Sequence, residues 1–516
     1  MSKHLLTATA LVSGATLLSR MLGFVRDTLI ARQFGADALT DAFFVAFKIP
    51  NFMRRLFAEG AFSQVFVPVL TGYQAAGTEA MRLFLGRLAG VFMLVLAGVT
   101  VLGILMAPVL VSLFAPGLYL QGAVFDLATG LLRITFPYLF FIALTAFAGG
   151  ILNTVGQFAL PALTPILLNV CLIAACLWFT DTLTVPVMAL ALAVLIAGVL
   201  QWAVQLPALL RLGLLPRPRL DFHDAGVRRV GRLLLPAVLG ASVQQVNLLV
   251  NTLLASLLIP GSISWLYYSD RLLEFPLGLF GVALGTVVLP HLSAQAPATG
   301  HQHYSAILDW ALRWVVLLAL PASLGLGLLA RPLMLTLFGG TAFSPHDADM
   351  AARSLLAYAP GLTGFMAVKV LTPAFSARHD LITPARVGTQ TVLVNLFLSG
   401  FFAIMLSPYG WGHAGLALAV SLAAGFNAIT LLRHLIRHGL YQPDSGWWRF
   451  LLRVTLACVV MSLVLMQAAH PGWDSAPGLV RFGYLSLWVL LGLSTYVLTL
   501  IATGLRPRQL IITQRH

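Results

Sequence analysis

Charged side chains stand inside long apolar runs of this 516-residue chain, where a hydrocarbon solvent would exclude them. One run holds Arg20, Arg26 and Asp27, and the next holds Asp41, Lys48, Arg54, Arg55 and Glu59. A later one holds Asp270, Arg271 and Glu274. At the centre of a bilayer a charge costs from about 3 to over 10 kcal/mol, so it persists only in a cavity or a pair. Helical spacing sorts these residues. Asp41, Lys48, Arg55 and Glu59 follow at intervals of seven, seven and four, which puts them on one face. Arg54 points about 100° away from Arg55. Guanidinium forks match phosphate oxygens bidentately and stay charged when desolvated. Arg20, Arg26, Arg54 and Arg271 are therefore candidate ligands for a phosphate-bearing anion. Asp27, Asp41, Lys48, Arg55, Glu59, Asp270 and Glu274 are candidates for gating or for setting the charge of a cavity.

Plainer roles compete with these. Arg55 and Glu59 are spaced for an i,i+4 pair that would lock a helix. Arg26 beside Asp27, and Asp41 near Lys48, fit latches or interfacial snorkelling. Arg133, Arg313 and Arg331 lie near run ends, where snorkelling is the default, and Lys369 lies deep in its run. Asn247, Asn251 and Asn395 are polar candidates for ion coupling, with packing the competing role. Cys171, Cys176 and Cys458 sit in apolar stretches without metal-ligand spacing, and His301 and His303 lack a third ligand, so neither a metal site nor a cofactor is expected. No paired acids or histidine constellation in a loop suggests a catalytic centre.

The elements that must position these charges are membrane spans. The chain is 59% apolar and only 9% charged, with a mean hydropathy of +0.92. Such a composition needs lipid as solvent. The net charge of +14 is dispersed between apolar runs, which argues for topology and substrate chemistry rather than nucleic acid. Runs long enough to cross a core of about 30 Å number fourteen. They include 124–154, 159–180, 186–212, 350–376, 384–406, 412–436, 447–469 and 481–504. Lys3, Arg82, Arg87, the Arg211–Arg232 stretch, Arg433 and Arg437 fall on one side, against Arg32 and Arg481 on the other. That asymmetry predicts cytoplasmic termini.

Glycine and proline also recur. An offset of 226 pairs Gly35 with Gly261 and Pro50 with Pro276; an offset of 223 pairs Pro137 with Pro360 and Pro161 with Pro384. The expected fold is an all-α polytopic membrane protein of 14 transmembrane helices, with two pseudo-symmetric six-helix lobes plus two extra C-terminal helices. The lobes span 1–215 and 227–440, joined by a cytoplasmic linker at 216–226; residues 441–516 hold the added pair and a cytoplasmic C-terminus. Six spans per copy make the repeats parallel, the geometry of an alternating-access carrier.

The stretch from Ser19 to Asp27, SRMLGFVRD, the segment from Thr40 to Pro68 and the segment from Ser264 to Pro290 closely resemble the MurJ (MviN) family of lipid II flippases, of the multidrug/oligosaccharidyl-lipid/polysaccharide exporter superfamily. The resemblance covers essentially the whole chain. It implies a bacterial inner-membrane flippase with a cationic cavity for the diphosphate-linked headgroup of lipid II. Arg20, Arg26, Arg54 and Arg271 match the arginines such proteins require, and Asp41, Glu59 and Glu274 match acidic positions tied to gating or cavity charge. It also implies a groove along the last two spans for the undecaprenyl tail. Expected partners are lipid II, membrane lipids and the peptidoglycan-synthesis machinery, around a monomer. A flippase for another lipid-linked oligosaccharide is the nearest rival. A drug exporter would carry surplus cavity carboxylates, a membrane glycosyltransferase or phosphatase would need catalytic acids in its loops, and a scaffold would leave the buried arginines without a role.

Overall fold

A computed structural model describes residues 3–57, 61–281, 292, 301–468, 471–474 and 476–505. Among them every regular element is a helix, as lipid demands: only a helix or a closed barrel satisfies its own backbone donors and acceptors there. Contacts divide the chain into two compact units, Met1–Gly261 and Ser262–His516.

The first unit runs α1 (Lys3–Phe34), α2 (Ala38–Phe57), α3 (Ala61–Ala75), α4 (Thr78–Leu105), α5 (Ala107–Phe114), α6 (Pro116–Tyr119), α7 (Ala123–Thr135), α8 (Tyr138–Thr154), α9 (Ala159–Ala174), α10 (Met188–Ala203), α11 (Leu206–Arg211) and α12 (Ala225–Ser256). Phe62 and Phe66 of α3 meet Phe92 of α4 and Phe147 of α8 at centroid separations near 5 Å, a packed aromatic core. α12, which the repeat counts as the opening span of the second lobe, packs by its contacts on α2 to α6.

The basic linker is laid across α4. Arg219 donates its backbone N–H to the Gly86 carbonyl at 2.9 Å, and a Cβ at Gly90 would overlap the Arg219 carbonyl, so only glycine lets the two backbones approach this closely. Asp224 caps α12 by accepting from the backbone of Gly226 and Val227, and Arg87 of α4 reaches it at 2.7 Å. Partial burial pushes the Asp224 carboxyl up, but the Val227 and Gly226 N–H groups and the Arg87 guanidinium outweigh it and hold the group below its ordinary value.

The second unit runs α13 (Ser262–Pro276), a π-helical turn (Leu277–Gly281), α14 (His301–Leu328), α15 (Ala330–Leu337), α16 (Pro345–Tyr358), α17 (Gly361–Ser376), α18 (Ile382–Leu406), α19 (Gly412–Arg437), α20 (Trp447–Met466) and α21 (Gly478–Ala502). Trp265 of α13 donates to Asp347 of α16 at 3.0 Å, and Ser269 donates to the Ala351 carbonyl at 2.7 Å. These bonds fix α13 on α16. α20 and α21 pair with each other and expose Leu456, Leu463, Leu490, Leu493 and Leu498, an apolar surface suited to lipid.

Among the described residues nine helices are long and apolar enough to cross a membrane, and α16 with α17, bent by 46° at Pro360, makes a tenth. The expected runs 159–180, 186–212, 384–406, 412–436 and 481–504 each coincide with one of these to within about three residues. α2 and α13 are not among these, α2 for its charge and α13 for its shortness and charge. α2 carries Asp41, Lys48, Arg54 and Arg55 within 20 residues, and α13 carries Asp270, Arg271 and Glu274 within 15. The paired glycines share a conformation: Gly35 and Gly261 both sit at positive φ, 71° and 93°, and each precedes a charge-bearing helix. Pro137 and Pro360 each stand immediately before a helix, at a break in a longer span.

Candidate functional site

Arg20 and Arg26 of α1 fall into different surroundings because they are six residues apart, about 120° around the helix. Arg26 and Asp27 are both buried, with Nη2 of Arg26 at 2.6 Å and Nε at 2.8 Å from Asp27 Oδ1. Nη1 donates at 2.9 Å to Asn169 Oδ1 of α9, whose amide nitrogen returns a bond to the Ser19 carbonyl at 2.9 Å. α1 packs along α9, so this network sits in a helix–helix contact. Arg20 is exposed, and no carboxylate among the described residues pairs with it.

On α2, the predicted common face of Asp41 and Lys48 meets the stretch that ends the first unit. Buried Asp41 accepts from the Gly261 backbone N–H at 2.8 Å, and Lys48 Nζ donates to Thr252 Oγ1 of α12 at 3.1 Å. Both therefore fasten α2 to α12 and the turn after it. Half-buried Arg54 donates from Nε to Asn51 Oδ1 at 2.9 Å, one turn back. The Arg55 side chain and Glu59 lie outside the described residues, so the expected Arg55–Glu59 pair does too.

On α13 of the second unit, Arg271 Nη1 lies 2.8 Å from Glu274 Oε2, with the two side chains 29% and 45% exposed. An ion pair this open contributes at most about 1 kcal/mol. The Arg26–Asp27 pair is the opposite case. Breaking it would leave an uncompensated buried charge at about 3–5 kcal/mol. Asp270 is half-buried on the same helix.

Several residues of these networks escaped the sequence reading. Asn169 is one polar side chain within the apolar run 159–180, a signal that could have singled it out; Thr252 and Asn51 carry no such mark. Arg313 and Arg331, expected to snorkel, instead pair with carboxylates. Arg313 pairs with Asp309 and Asp444, and Arg331 with Asp349 and Asp474. Among the described residues no three His, Cys, Asp or Glu side chains gather as a metal ion would require.

The family model for lipid II flippase MurJ matches residues 30–472. The chain belongs to the MurJ family. It is 42% identical over 523 residues to a probable lipid II flippase MurJ of Vibrio cholerae, covering 99% of this chain and 98% of that one. It is 44% identical over 465 residues to lipid II flippase MurJ of Burkholderia cenocepacia, covering 89% of each. Among solved structures, a lipid II flippase MurJ in an inward closed conformation superimposes with a TM-score of 0.80 at 26% identity, covering 95% of this chain and 98% of that one. An inward-facing multidrug resistance MATE family transporter of the MOP superfamily shares the fold, with a TM-score of 0.62 at 15% identity over 82% of this chain. As a MurJ family member the chain is a transporter rather than an enzyme, an all-α, multi-pass protein of the bacterial inner membrane.

Proposed function

We propose that the chain carries lipid II, the undecaprenyl-diphosphate-linked peptidoglycan precursor, from the cytoplasmic to the periplasmic leaflet by alternating access. The observation that carries this reading is the match along nearly the full length to the MurJ of Vibrio cholerae, a span that includes every charge-bearing helix. In this reading twelve of fourteen spans form lobes at 1–215 and 227–440, with the linker 216–226 and both termini on the cytoplasmic side. Residues 441–516 contribute the added pair, and the protein works as a monomer beside the wall-synthesis machinery.

Arg20, Arg54 and Arg271 meet the diphosphate. Exposed Arg20 is ready for it, and Arg271 exchanges the weak Glu274 contact for phosphate oxygens. Arg26 acts with Asp27 from within the α1–α9 contact. Asp41 and Lys48, fastened to the 252–261 stretch, serve as gating contacts, with Arg55, Glu59, Asp270 and Glu274 setting cavity charge. The ligand drives the switch only if it binds the closing state more tightly than the open one, so the same arginines must gain contacts as the lobes close. Net charge moved through the field adds about 2.3 kcal/mol per charge per 100 mV. The undecaprenyl tail stays in lipid along α20 and α21.

The test is translocation of labelled lipid II headgroup in proteoliposomes. Arg20→Ala, Arg54→Ala and Arg271→Ala are expected to abolish it at unchanged membrane levels. Full transport by all three would overturn the reading.

A further inference from the structure

Where the loop after α19 delivers the chain to α20, a buried carboxylate on α14 gathers it. Asp309 Oδ1 accepts from the Tyr441 hydroxyl at 3.0 Å, from the Asp444 backbone N–H at 3.3 Å and from Trp447 Nε1. Arg313, one turn along α14, has Nε 2.8 Å from Asp309 Oδ2 and donates from Nη2 to Asp444 Oδ2 at 2.8 Å. Its guanidinium carbon lies 5.5 Å from the centroid of the Trp447 ring and 5.7 Å from that of Phe450. Ser305 completes the clasp, donating to the Gln442 carbonyl at 3.0 Å and accepting the Gln442 N–H at 2.9 Å.

About two turns further along, the same two helices border an apolar groove of about 320 Å3. Leu320 and Leu324 of α14 line one side; Cys458, Val459, Leu463 and Met466 of α20 line the other. The far end is fixed as well. Arg331 of α15 pairs with Asp474 at 2.8 Å, and Arg481 of α21 donates to the Leu335 carbonyl at 3.2 Å. The groove thus lies between two polar fastenings.

Lipid tails are as apolar as leucine, so burial alone does not hold one apolar helix against another in a bilayer. The seat of α20 must come from specific contacts, and those at Asp309 and Arg313 hold its first turn. We propose that Asp309 and Arg313 are positioning residues for transport, setting α20 against α14 and thereby the width of a groove that takes the isoprenoid chain of the substrate. They act at a distance from the headgroup and touch none of it. The inference rests on the reading that the tail lies along α20 and α21.

Chain-length selectivity separates this role from a merely structural one. Full-length protein in proteoliposomes is given lipid II bearing an undecaprenyl chain or, separately, a dimethylallyl chain that is too short to fill the groove. Wild type should prefer the long chain. Asp309→Ala and Arg313→Gln should reduce that preference about tenfold, the scale of a small misplacement at a binding surface, while transport of the dimethylallyl analogue holds. Tyr441→Phe removes one hydrogen bond and no charge, so it folds as wild type and should shift the preference in the same direction by less. Equal loss on both analogues, or an unchanged preference in Tyr441→Phe and Arg313→Gln alike, overturns the positioning role. A wild-type protein indifferent to chain length overturns the tail reading itself, whatever the variants do.

Discussion

Arg20 and Arg26, two of the three arginines of α1, carry the same charge and are held in opposite ways. Arg26 spends its guanidinium on Asp27 and Asn169 in a buried helix contact, whereas Arg20 stands exposed. Substitutions should therefore separate stability from transport. Asp27→Ala strands a buried guanidinium and should lower unfolding free energy by about 3–5 kcal/mol, read as a fall in the melting temperature of the purified protein. Arg20→Ala should leave melting unchanged and stop headgroup translocation. Glu274→Gln is a third case: its partner is partly exposed, so stability should move by no more than about 1 kcal/mol. A larger loss would mean that Arg271 is held as tightly as Arg26.

At the scale of elements, the linker is docked rather than slack. Its backbone lies on Gly86 and Gly90 of α4, and Arg87 grips Asp224. Gly90→Val should lift it, seen as faster hydrogen exchange and proteolysis through residues 213–224. Acid should do the same by another route. The Asp224 carboxyl titrates below its ordinary value of 3.8 in the folded protein, so its stabilising share is fully present above that pH. The share is lost as pH falls through the lower, folded value. Protection of the linker should hold from neutrality down to about pH 4 and fail below it, whereas Asp224→Asn should remove it at pH 7.

At the scale of the molecule, transport needs a ligand whose charge the arginines can use. Each hydrogen bond to a charged group contributes about 1.5–3 kcal/mol, so a monophosphate analogue of lipid II should bind at least about tenfold more weakly than the diphosphate. Binding to purified protein measures this directly. Equal affinities would remove the reason for placing Arg20, Arg54 and Arg271 at the substrate.

Much of the helical plan was legible in the chain alone, because span length against bilayer thickness is a local, one-dimensional property. The run 159–180 becomes Ala159–Thr182, Gly35 and Gly261 mark matched left-handed turns, and Pro360 marks a bend. Residue identity also fixed which helices carry charge. The partner of each charge was decided only in three dimensions. Arg26 meets Asn169 from 143 residues away, Lys48 meets Thr252 from 204 away, and Arg313, expected to snorkel, closes a clasp on Asp444. Contacts likewise group α12 with the first unit, although the repeat counts it with the second. Helical periodicity gives the direction in which a side chain leaves its own helix, and only tertiary packing brings up the neighbour that it meets there.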